Sequence, residues 1–476
     1  MDMKTTRILL FTLLLTLSCF VVLAQQESNS SRPNVLIILS DDQGWGDVGF
    51  NGCTDIPTPN LDALAAEGVV MTQGYASHPY CSPSRAGLLT GRYQQRFGHE
   101  NNIPYQIATK DDGLPVEELL ISEALQKVGY RTCAIGKWHL GDSSQYWPNN
   151  QGFDDWYGFI GGGLSYWGNT GKKGAVHGIL HNGQIVPIEE ISYLTDDFSR
   201  EAVSYIDQYS KDDDPFFMYL AYNAPHSPLQ SPNEYLKVMD HQEDGQRAVY
   251  GAMVYAMDKG IGQVIEKLKE TGEYENTLIF FYSDNGAALN GASSHPFRGH
   301  KGMLFEGGIR VPFLVSWPAQ LDNGNVYDQP ISALDIYPTI LKAADVEYTE
   351  AQTLDGVDML PFLKGQDHKR PHEDLYWRYS DGAGRAVRKG DYKLIWSGYK
   401  QKYLLFDLAI DPYEQNNLAA EMPDKVNELA QAFDNWNEGT IPAKWQDPHA
   451  ENVLKEESKR QGWIDAAAKG SNGARN

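Results

Sequence analysis

Four short apolar runs in the sequence each lead directly into side chains that can bind a metal ion or an anion. These segments are Ser40-Asp41-Asp42 after VLIIL, Gly136-Lys137-Trp138-His139 after TCAI, Asn223-Ala224-Pro225-His226 after FFMYLA, and Ser283-Asp284-Asn285-Gly286 after TLIFFY. In open α/β sheets, ligands bind at the carboxyl ends of the parallel strands. If the runs are such strands, carboxylates, an amide, a lysine and histidines meet at one edge of a sheet.

The oxygen-bearing side chains at this edge are chemically uniform. Hard oxygen donors are offered by Asp41, Asp42, Asp284 and Asn285. Such a set suits Ca²⁺ or Mg²⁺ better than zinc. Without a metal, clustered carboxylates would repel one another and raise each other's pKa. Taken singly, SDD and SDNG also fit helix caps or turns. Because both follow a buried run, we predict a site for one divalent cation.

Positively charged or hydrogen-donating side chains are predicted beside these oxygens. They are Lys137, His139, His226 and, in the later stretch GHKG, Lys301. Such groups next to a bound cation suit an anionic substrate that lies between the metal and the side chains. A single histidine or lysine usually has a structural role, so the prediction depends on their shared position.

The elements that must position these residues are predicted from the pattern of apolar residues. The four runs are rich in β-branched or aromatic residues and lack polar alternation, which is typical of strands buried on both faces of a parallel sheet. Helical patterns at 60–68, 119–129 and 248–272 lie between them, and each ends at a glycine. Strands that alternate with helices predict an α/β fold, with a large, mostly parallel sheet flanked by helices.

The pattern of the sequence changes after about Gly365. Short strand-like stretches separated by turn signals are followed by a helical pattern at 424–436. This part predicts a smaller C-terminal antiparallel sheet with one packed helix. We therefore expect a catalytic α/β domain at 30–365, a small α+β subdomain at 366–440 and a polar surface extension at 441–476.

The first residues have the pattern of an export signal. Lys4 and Arg7 precede the apolar stretch 8–23, and VLA ending at Ala24 offers a cleavage site. The predicted signal peptide, 1–24, is too short for a membrane anchor. We therefore expect a periplasmic or secreted protein without a transmembrane segment. Lipid attachment at Cys19 is a weaker alternative, because Thr16 suits that motif poorly.

Length and charge narrow the class of protein. The 476 residues suffice for a large domain and a smaller one. The formal charge of −23 argues against nucleic acid as a partner, because its phosphates need a basic surface. A local cationic pocket can still bind a small anion in an acidic protein.

Cys81 stands in the stretch SHPYCSPSRAGLLTGRY. Pro83 fits the first turn of a helix, so Cys81 is expected just before a helix N-terminus, where negative charge is favoured. The simplest interpretation is a thiolate nucleophile of low pKa. An exported thiolate is prone to oxidation, however, and soft sulfur suits a hard-oxygen site badly. A group other than an unmodified thiol is therefore indicated at residue 81.

Two more cysteines remain in the predicted mature chain, Cys53 and Cys133. Three cysteines cannot all pair within one chain, so at least one thiol is free or modified. A disulfide between Cys53 and Cys133 is one possibility. Because Cys133 lies in a predicted buried strand, we expect both to be free.

The run Cys81-Ser82-Pro83-Ser84-Arg85, followed by GLLTGRY, resembles the C-x-P-x-R signature of the formylglycine-dependent sulfatases. The resemblance extends over nearly the whole predicted mature chain, through RPNVLIILSDDQGWGDVG, TPNLDALAAEGVVMTQGY, GYRTCAIGKWHLG, SDNG and KGMLFEGGIRVPFLVSWP. It implies an alkaline-phosphatase-like fold and a sulfuric ester hydrolase that acts on a polysaccharide in a bacterium.

The resemblance also implies a role for each residue of the predicted site. A formylglycine-generating or sulfatase-maturating enzyme would oxidise Cys81 to formylglycine, whose hydrated form would attack sulfur through one oxygen and expel the alcohol. His139 would deprotonate the second hydroxyl and so release sulfate. Arg85 and Lys137 would orient the diol. The implied residues for sulfate binding are His226 and Lys301, and the implied Ca²⁺ ligands are Asp41, Asp42, Asp284, Asn285 and the modified Cys81.

Further residues are candidates for contacts with a sulfated oligosaccharide or polysaccharide, such as carrageenan, ulvan, a fucan or a glycosaminoglycan. Tyr166 and Trp167 lie in the glycine-rich stretch GGGLSYWGN and can either stack on sugar rings or pack against the sheet. Side chains that can contact neighbouring sulfates or carboxylates are His295, Arg298, His300 and Arg385.

Two other functions fit the same residues. A formylglycine-dependent phosphonate or phosphodiester hydrolase would share the architecture, and a non-catalytic carbohydrate-binding homologue would keep Cys81 unmodified. A two-zinc phosphatase fits less well, because it would need a second cluster of histidines and aspartates where Lys137 and Lys301 stand.

Overall fold

The structure of the protein is a computed structural model that describes residues 32–104, 111–168, 178–347, 353–398 and 401–446. The predicted signal peptide with Cys19 lies outside the described residues, as do residues 447–476 of the predicted extension. None of the helices within these ranges combines the length and the apolar character that crossing a bilayer requires. Cys53, Cys81 and Cys133 are free thiols.

Within the described residues, a ten-stranded mixed sheet forms the centre of the larger domain. Numbered in chain order over all sheets, its strands are β1 (Asn34–Ser40), β2 (Val69–Met71), β4 (Arg131–Lys137), β5 (Asp155–Phe159), β6 (Leu180–His181), β7 (Gln184–Ile185), β8 (Phe216–Ala221), β9 (Thr277–Ser283), β10 (Phe313–Ser316) and β11 (Asn325–Tyr327). Their spatial order is β11-β2-β10-β9-β1-β8-β4-β5-β6-β7. Two short strands, β3 (Gly74–Tyr75) and β12 (Ile331–Ser332), pair in parallel beside it.

The four predicted apolar runs are the neighbouring strands β9, β1, β8 and β4, which run parallel to one another. Every residue of β1 is buried, and burial on both faces explains the missing polar alternation. β1 pairs with β9 through Ser40 and Ser283, and with β8 through Leu39 and Ala221. This register places the carboxyl ends of the strands side by side, so the residues that follow them share one edge.

Helices cover both faces of the large sheet. In chain order they are α1 (Pro59–Ala66), α2 (Cys81–Thr90), α3 (Ile121–Gln126), α4 (Leu194–Tyr209), α5 (Asn233–Leu236), α6 (Gly245–Thr271), α7 (Glu306–Ile309), α8 (Ile336–Ala343) and α9 (Leu360–Leu363), with α10 (Pro423–Asn437) in the smaller domain. Because side chains alternate along a strand, Ile37 belongs to the apolar cluster on one face and Ile38 to the cluster on the other. The predicted helices appear as α1, α3 and α6, although α3 is shorter than the pattern indicated.

Four antiparallel strands form a second sheet after residue 365. They are β13 (Asp374–Tyr379), β14 (Gly384–Lys389), β15 (Tyr392–Ser397) and β16 (Lys402–Asp407). α10 covers one face of this sheet through Leu429 and Phe433. On the other face, Trp377 packs in a cluster that includes Tyr75 and Phe305 of the larger domain. The predicted fold class, a large mostly parallel sheet with a smaller antiparallel sheet and helix, is confirmed.

Residues 441–446, the first part of the polar extension that the sequence predicts, make specific contacts with the larger domain. The N–H of Ile441 donates to Gln95 O at 3.0 Å, and the N–H of Lys444 donates to Gly98 O at 2.9 Å. The side chain of Trp445 is only 7% exposed. The sequence does not predict this contact, because a single tryptophan among charged residues creates no periodic pattern. The segment is therefore docked on the larger domain.

A buried ion network joins the smaller sheet to the larger domain. Lys393 Nζ lies 2.7 Å from Glu306 Oε1 and 2.9 Å from Glu414 Oε1, and all three side chains are buried. Tyr75 O–H donates to Glu306 Oε2 at 2.6 Å. Loss of the cation beside a buried carboxylate is strongly destabilising. Lys393 therefore stabilises the interface by neutralising negative charge that is buried in it.

Replacement of Lys393 by methionine is expected to lower the free energy of unfolding by about 3–5 kcal/mol, because it removes the cation shared by two buried carboxylates and leaves Glu306 with the more distant Arg310, 3.4 Å away. Urea unfolding followed by circular dichroism measures the change. The control is Lys389→Met in the adjacent strand, whose amine lies 3.1 Å from Asp374 with a partly exposed side chain. It should cost less than about 1 kcal/mol. Equal effects of the two substitutions would contradict the role given to Lys393.

Candidate active site

The candidate site lies at the edge where the parallel strands end. The N–H of Asp284, after β9, donates to Ser40 O at the end of β1 at 3.1 Å. The N–H of Asp41 donates to Ala224 O, after β8, at 3.0 Å. Lys137 is the last residue of β4. These backbone contacts hold the segments after four strands together, as the sequence predicts.

Cys81 is the first residue of α2, and Tyr80 precedes the helix with an extended backbone. The helix thus begins one residue earlier than the expectation that placed Cys81 just before it. Cys81 Sγ lies 3.5 Å from Asp41 Oδ1 and 3.8 Å from Asp42 Oδ1. The side chain is 2% exposed. Residue 81 therefore faces the carboxylates that follow β1.

Two lysines bind these same carboxylates. Lys137 Nζ lies 2.5 Å from Asp41 Oδ2. Lys301 Nζ lies 2.5 Å from Asp42 Oδ1 and 3.1 Å from Cys81 Sγ. Each lysine therefore places a positive charge beside residue 81, at the position where an anionic group bound next to it would lie.

Arg85, one helical turn after Cys81, is fully buried. Its Nε donates to Asp284 Oδ2 at 3.0 Å, and its Nη1 donates to Lys137 O at 2.7 Å. The guanidinium thus links α2 to the ends of β9 and β4. Together with the two lysines it balances the charge of the three aspartates, so any excess positive charge in the pocket must come from a bound ion.

Asn285 contributes an oxygen that the protein leaves unused. Its Nδ2 donates to Asp42 Oδ1 at 2.8 Å and to Gly286 O at 3.0 Å. Its Oδ1 is buried and has no hydrogen-bond partner among the described residues. A buried amide oxygen without a partner is costly. This oxygen and the neighbouring carboxylates make a donor set that fits Ca²⁺ or Mg²⁺.

His226 lies near the carboxylates that are predicted to bind the metal ion. Potential ligand atoms of Asp41, Asp42, Cys81 and His226 lie within 4.8 Å of one another. His226 Nε2 is 3.7 Å from Asp42 Oδ2, while Nδ1 is 2.6 Å from Ser227 O. Sequence reasoning did not include His226 among the metal ligands, because imidazole is unusual in a set of hard oxygens.

Burial and neighbouring charges give the aspartates different pKa values. Burial by itself raises the pKa of Asp42, but Lys301, His226 and Lys137 outweigh it and hold that pKa well below its usual value. Burial, followed by the charge of Asp41, raises the pKa of Asp284 to about 6. The Asp42 carboxylate is therefore ionised without an added cation.

The two histidines of the pocket are neutral. Burial, followed by the charge of Lys137, holds the pKa of His139 well below its usual value, and burial lowers the pKa of His226 to about 3. His139 also has a φ of 60° and Asp42 a φ of 66°, a left-handed conformation that is uncommon outside glycine. Such conformations concentrate at functional sites. A neutral imidazole can accept a proton, as the role predicted for His139 requires.

Tyr166 does not lie where it can stack on a sugar. It is fully buried, and its hydroxyl lies 2.6 Å from Asn223 O and 2.9 Å from His226 O. The packing alternative is therefore correct for Tyr166, which supports the segment that carries His226. Trp167 is 39% exposed, and its ring centroid lies 5.3 Å from that of Tyr193. It stays a prediction for sugar contact.

Arg385 does not lie where it can contact a substrate in the candidate site. Its guanidinium carbon lies 5.9 Å from the ring centroid of Phe433 in α10, and its Nε donates to Gly382 O at 3.0 Å. Arg385 thus belongs to the face of the small sheet that packs against α10, whereas the opposite face meets the larger domain. The sequence could not reveal which face points toward the site.

The remaining predicted substrate residues differ in exposure. Arg298 Nη1 donates to Glu414 O at 2.8 Å, a contact with the smaller domain. His300 is buried, and its Nδ1 is 2.9 Å from Lys301 O. His295 is exposed. Of these three residues, His295 is the one whose side chain is open to solvent.

Comparison with known proteins identifies the family. The model of the family described as Sulfatase matches residues 33–346, and the one described as N-sulphoglucosamine sulphohydrolase, C-terminal, matches residues 297–438. The N-acetylgalactosamine-6-sulfatase of Mus musculus is 36% identical to this chain, over 81% of this chain and 76% of that protein. The uncharacterized sulfatase YdeN of Escherichia coli (strain K12) is 31% identical, over 84% of this chain and 85% of that protein.

A solved structure matches both the fold and the sequence. The crystal structure of Ps i-CgsB superimposes with a TM-score of 0.83 and 37% identity, over 89% of this chain and 96% of that one. That protein was also solved in complex with k-i-k-neocarrahexaose. The residues matched by the two family models include the strand ends, the helix of Cys81 and the smaller sheet. The chain belongs to the sulfatase family.

Proposed function

We propose that this sulfatase hydrolyses sulfate esters of a carbohydrate, with residue 81 converted to formylglycine and one Ca²⁺ bound beside it. The position of Cys81 Sγ carries the proposal, because it lies 3.5 Å from Asp41 Oδ1 and 3.1 Å from Lys301 Nζ. An oxygen attached at this position would lie between carboxylates that hold a cation and an amine that binds an anion. The maturation enzyme that the family resemblance implies is the partner that would form the aldehyde.

The unmodified thiol is a poor nucleophile at this position. Burial raises the pKa of Cys81 far above its usual value, although Lys137 and Lys301 oppose the shift. A protonated thiol does not attack, since the thiolate is the reactive form. The raised pKa of the thiol therefore supports an oxygen nucleophile made from residue 81.

The proposed ion would be held by Asp41, Asp42, Asp284 and Asn285, together with the modified residue 81. Bound there, Ca²⁺ supplies positive charge that polarises the sulfate oxygens. Because the three aspartates are already balanced by cationic side chains, the net positive charge of the occupied pocket attracts the sulfate ester anion.

The protein's own groups support the breaking of the bond between sulfur and the bridging oxygen. Lys301 binds a non-bridging sulfate oxygen and stabilises charge as it develops, while Lys137, bonded to Asp41, orients the hydroxyls on residue 81 and offsets their charge. His226 Nε2, on the partly exposed side of the pocket, gives a proton to the departing alcohol oxygen once the negative charge of the bound ester has raised its pKa from about 3. Neutral His139 accepts the proton that is lost from the hydroxyl on residue 81. Arg85 keeps Asp284 and the end of β4 in place. Overall, the ester and water become an alcohol, sulfate and a proton.

A sulfated galactose unit is the proposed substrate group. One relative is named for N-acetylgalactosamine 6-sulfate, and one structural neighbour was solved with a neocarrahexaose, which is built on a galactan. Both therefore point to a sugar of the D-galactose type. We place carrageenan oligosaccharides first and glycosaminoglycans second, ahead of ulvan and fucans. Export to the periplasm or the medium, proposed from the first residues, would bring the enzyme to such polymers.

A sulfate ester is expected to have a kcat/KM about 100-fold higher than the phosphate or phosphonate ester of the same alcohol, as expected for a member of the sulfatase family. The measurement compares an aryl sulfate with its phosphate and phosphonate analogues. A preference for phosphorus would favour the rival phosphonate or phosphodiester hydrolase. In parallel, carrageenan, chondroitin sulfate, ulvan and fucan oligosaccharides are incubated with the matured enzyme, and NMR locates the lost sulfate. Release of sulfate only from ulvan or fucan would contradict the substrate proposal.

A further inference from the structure

A chain of contacts reaches residue 81 from the docked C-terminal segment. Trp445 Nε1 donates to Asn101 O at 2.9 Å and to Asn102 O at 3.0 Å, and Asn101 Nδ2 donates back to Trp445 O at 3.0 Å. The ring of Trp445 meets the ring of His99 edge-on, with centroids 4.7 Å apart. The C-terminal segment therefore fixes residues 99–102 of the larger domain.

Residues 99–102 in turn hold Ser82, the residue after Cys81. Ser82 Oγ lies 2.6 Å from His99 Nε2. The backbone N–H of Ser82 donates to Asn102 Oδ1 at 3.1 Å. This N–H belongs to the first turn of α2 and has no partner within the helix. Side chain and backbone of Ser82 are thus both tied to the segment that Trp445 fixes.

The contact of Ser82 with His99 is not a second nucleophile and base. Both side chains are fully buried, so a substrate has no access to the hydroxyl. The pocket carboxylates and lysines surround Cys81, and neither Ser82 nor His99 is bonded to them in the contacts described above. Burial lowers the pKa of His99 to about 3, so the ring is neutral and can make this hydrogen bond without adding charge next to the site.

We propose that His99 and Trp445 are positioning residues that hold the first turn of α2, and with it residue 81, against the carboxylates of the active site. Ser82 transmits this constraint. The inference rests on the proposed function for its catalytic consequence, since residue 81 is the nucleophile there. Small displacements of a reacting group are costly, and Cys81 Sγ sits only 3.1 Å from Lys301 Nζ.

The direct test follows the reactivity of the thiol in full-length protein made in a host that leaves Cys81 unmodified. Native protein with added Ca²⁺ is treated with iodoacetamide, and mass spectrometry gives the alkylation rate of each cysteine. We expect Cys81 to react about tenfold faster in Ser82→Ala and His99→Phe, because local opening of the first turn exposes it. Cys133, fully buried in β4, reports global unfolding and should keep its rate.

Matched variants separate the hydrogen bond from packing. His99→Phe keeps a ring against Trp445 but loses the polar atom, whereas the amide of His99→Gln can still reach Ser82 and should restore most of the protection. Ser84→Ala, a buried position in the same helix, removes the same atom without touching His99 and keeps the C-x-P-x-R motif. It should leave the Cys81 rate unchanged. Trp445→Ala should raise the Cys81 rate, and Trp445→Phe less so.

The second measurement uses matured enzyme and expresses turnover per aldehyde found at residue 81. Ser82→Ala and His99→Phe should lower kcat about tenfold and leave KM for an aryl sulfate within a factor of about two, as expected for a displaced nucleophile. Wild-type alkylation rates in both variants would overturn the proposal. A wild-type protein without aldehyde or activity would instead contradict the proposed function, while the thiol rates would still decide the positioning role.

Discussion

Substitution of Cys81 by alanine is expected to lower sulfatase activity by about 10⁴-fold or more, because it removes the atom from which the nucleophile is made. The surrounding groups stay in place, since Asp41 holds Lys137 and Asp42 holds Lys301. The variant is therefore expected to bind a sulfated ligand while it fails to turn it over. Release of sulfate from an aryl sulfate, measured by absorbance of the phenol, gives the loss in kcat.

Two controls make this expectation specific. Cys133→Ala removes another buried thiol, from the middle of β4, and should keep activity within a factor of about three, because the thiol lies in the strand core away from the site. Mass spectrometry of the peptide that contains residue 81 should show the aldehyde in wild-type and Cys133→Ala protein. Activity of Cys81→Ala within tenfold of wild type, or an intact thiol in fully active wild type, would show that residue 81 is not the nucleophile.

The part of the site that lies at the strand ends could be predicted from the sequence because its signals are local. Asp41 and Asp284 each follow, after one serine, a short apolar run rich in β-branched or aromatic residues, which is typical of a central strand buried on both faces. Parallel strands end at the same edge of a sheet. The residues that follow them can therefore be predicted to lie together even when the order of the strands is unknown. The boundaries of β8 agree with the apolar run itself, Phe216–Ala221.

The residues whose surroundings the sequence did not predict make contacts with distant parts of the chain. Tyr166 has a hydroxyl that bonds backbone oxygens some sixty residues later, and no nearby pattern marks it as buried. For Arg385, the alternation along β14 shows which residues share a face, but not whether that face meets α10 or the larger domain. Trp445 reaches His99 across the length of the chain. Such pairings follow from how the domains pack rather than from local periodicity.

The unpartnered oxygen of Asn285 leads to the second large effect. Removal of divalent ions with EGTA is expected to lower activity by at least about 10³-fold, because the pocket loses the charge that polarises the sulfate group. Added Ca²⁺ should restore activity, and elemental analysis of the active protein should find close to one ion per chain. The melting temperature should also fall on chelation, since an ion that binds only the folded state stabilises it.

Asn285→Ala tests whether that ion lies where the structure indicates. Loss of the amide oxygen, which has no other partner among the described residues, should raise the Ca²⁺ concentration for half-maximal activity by about tenfold or more. Asn325→Ala, at an exposed position in β11, serves as the matched control and should leave the calcium dependence unchanged. Full activity after exhaustive chelation, or an Asn285→Ala variant with wild-type calcium dependence and a wild-type melting temperature, would place the ion elsewhere. In that event the close approach of Asp42 to residue 81 would serve only to orient Lys301, and the charge that draws sulfate into the pocket would have to come from the lysines alone.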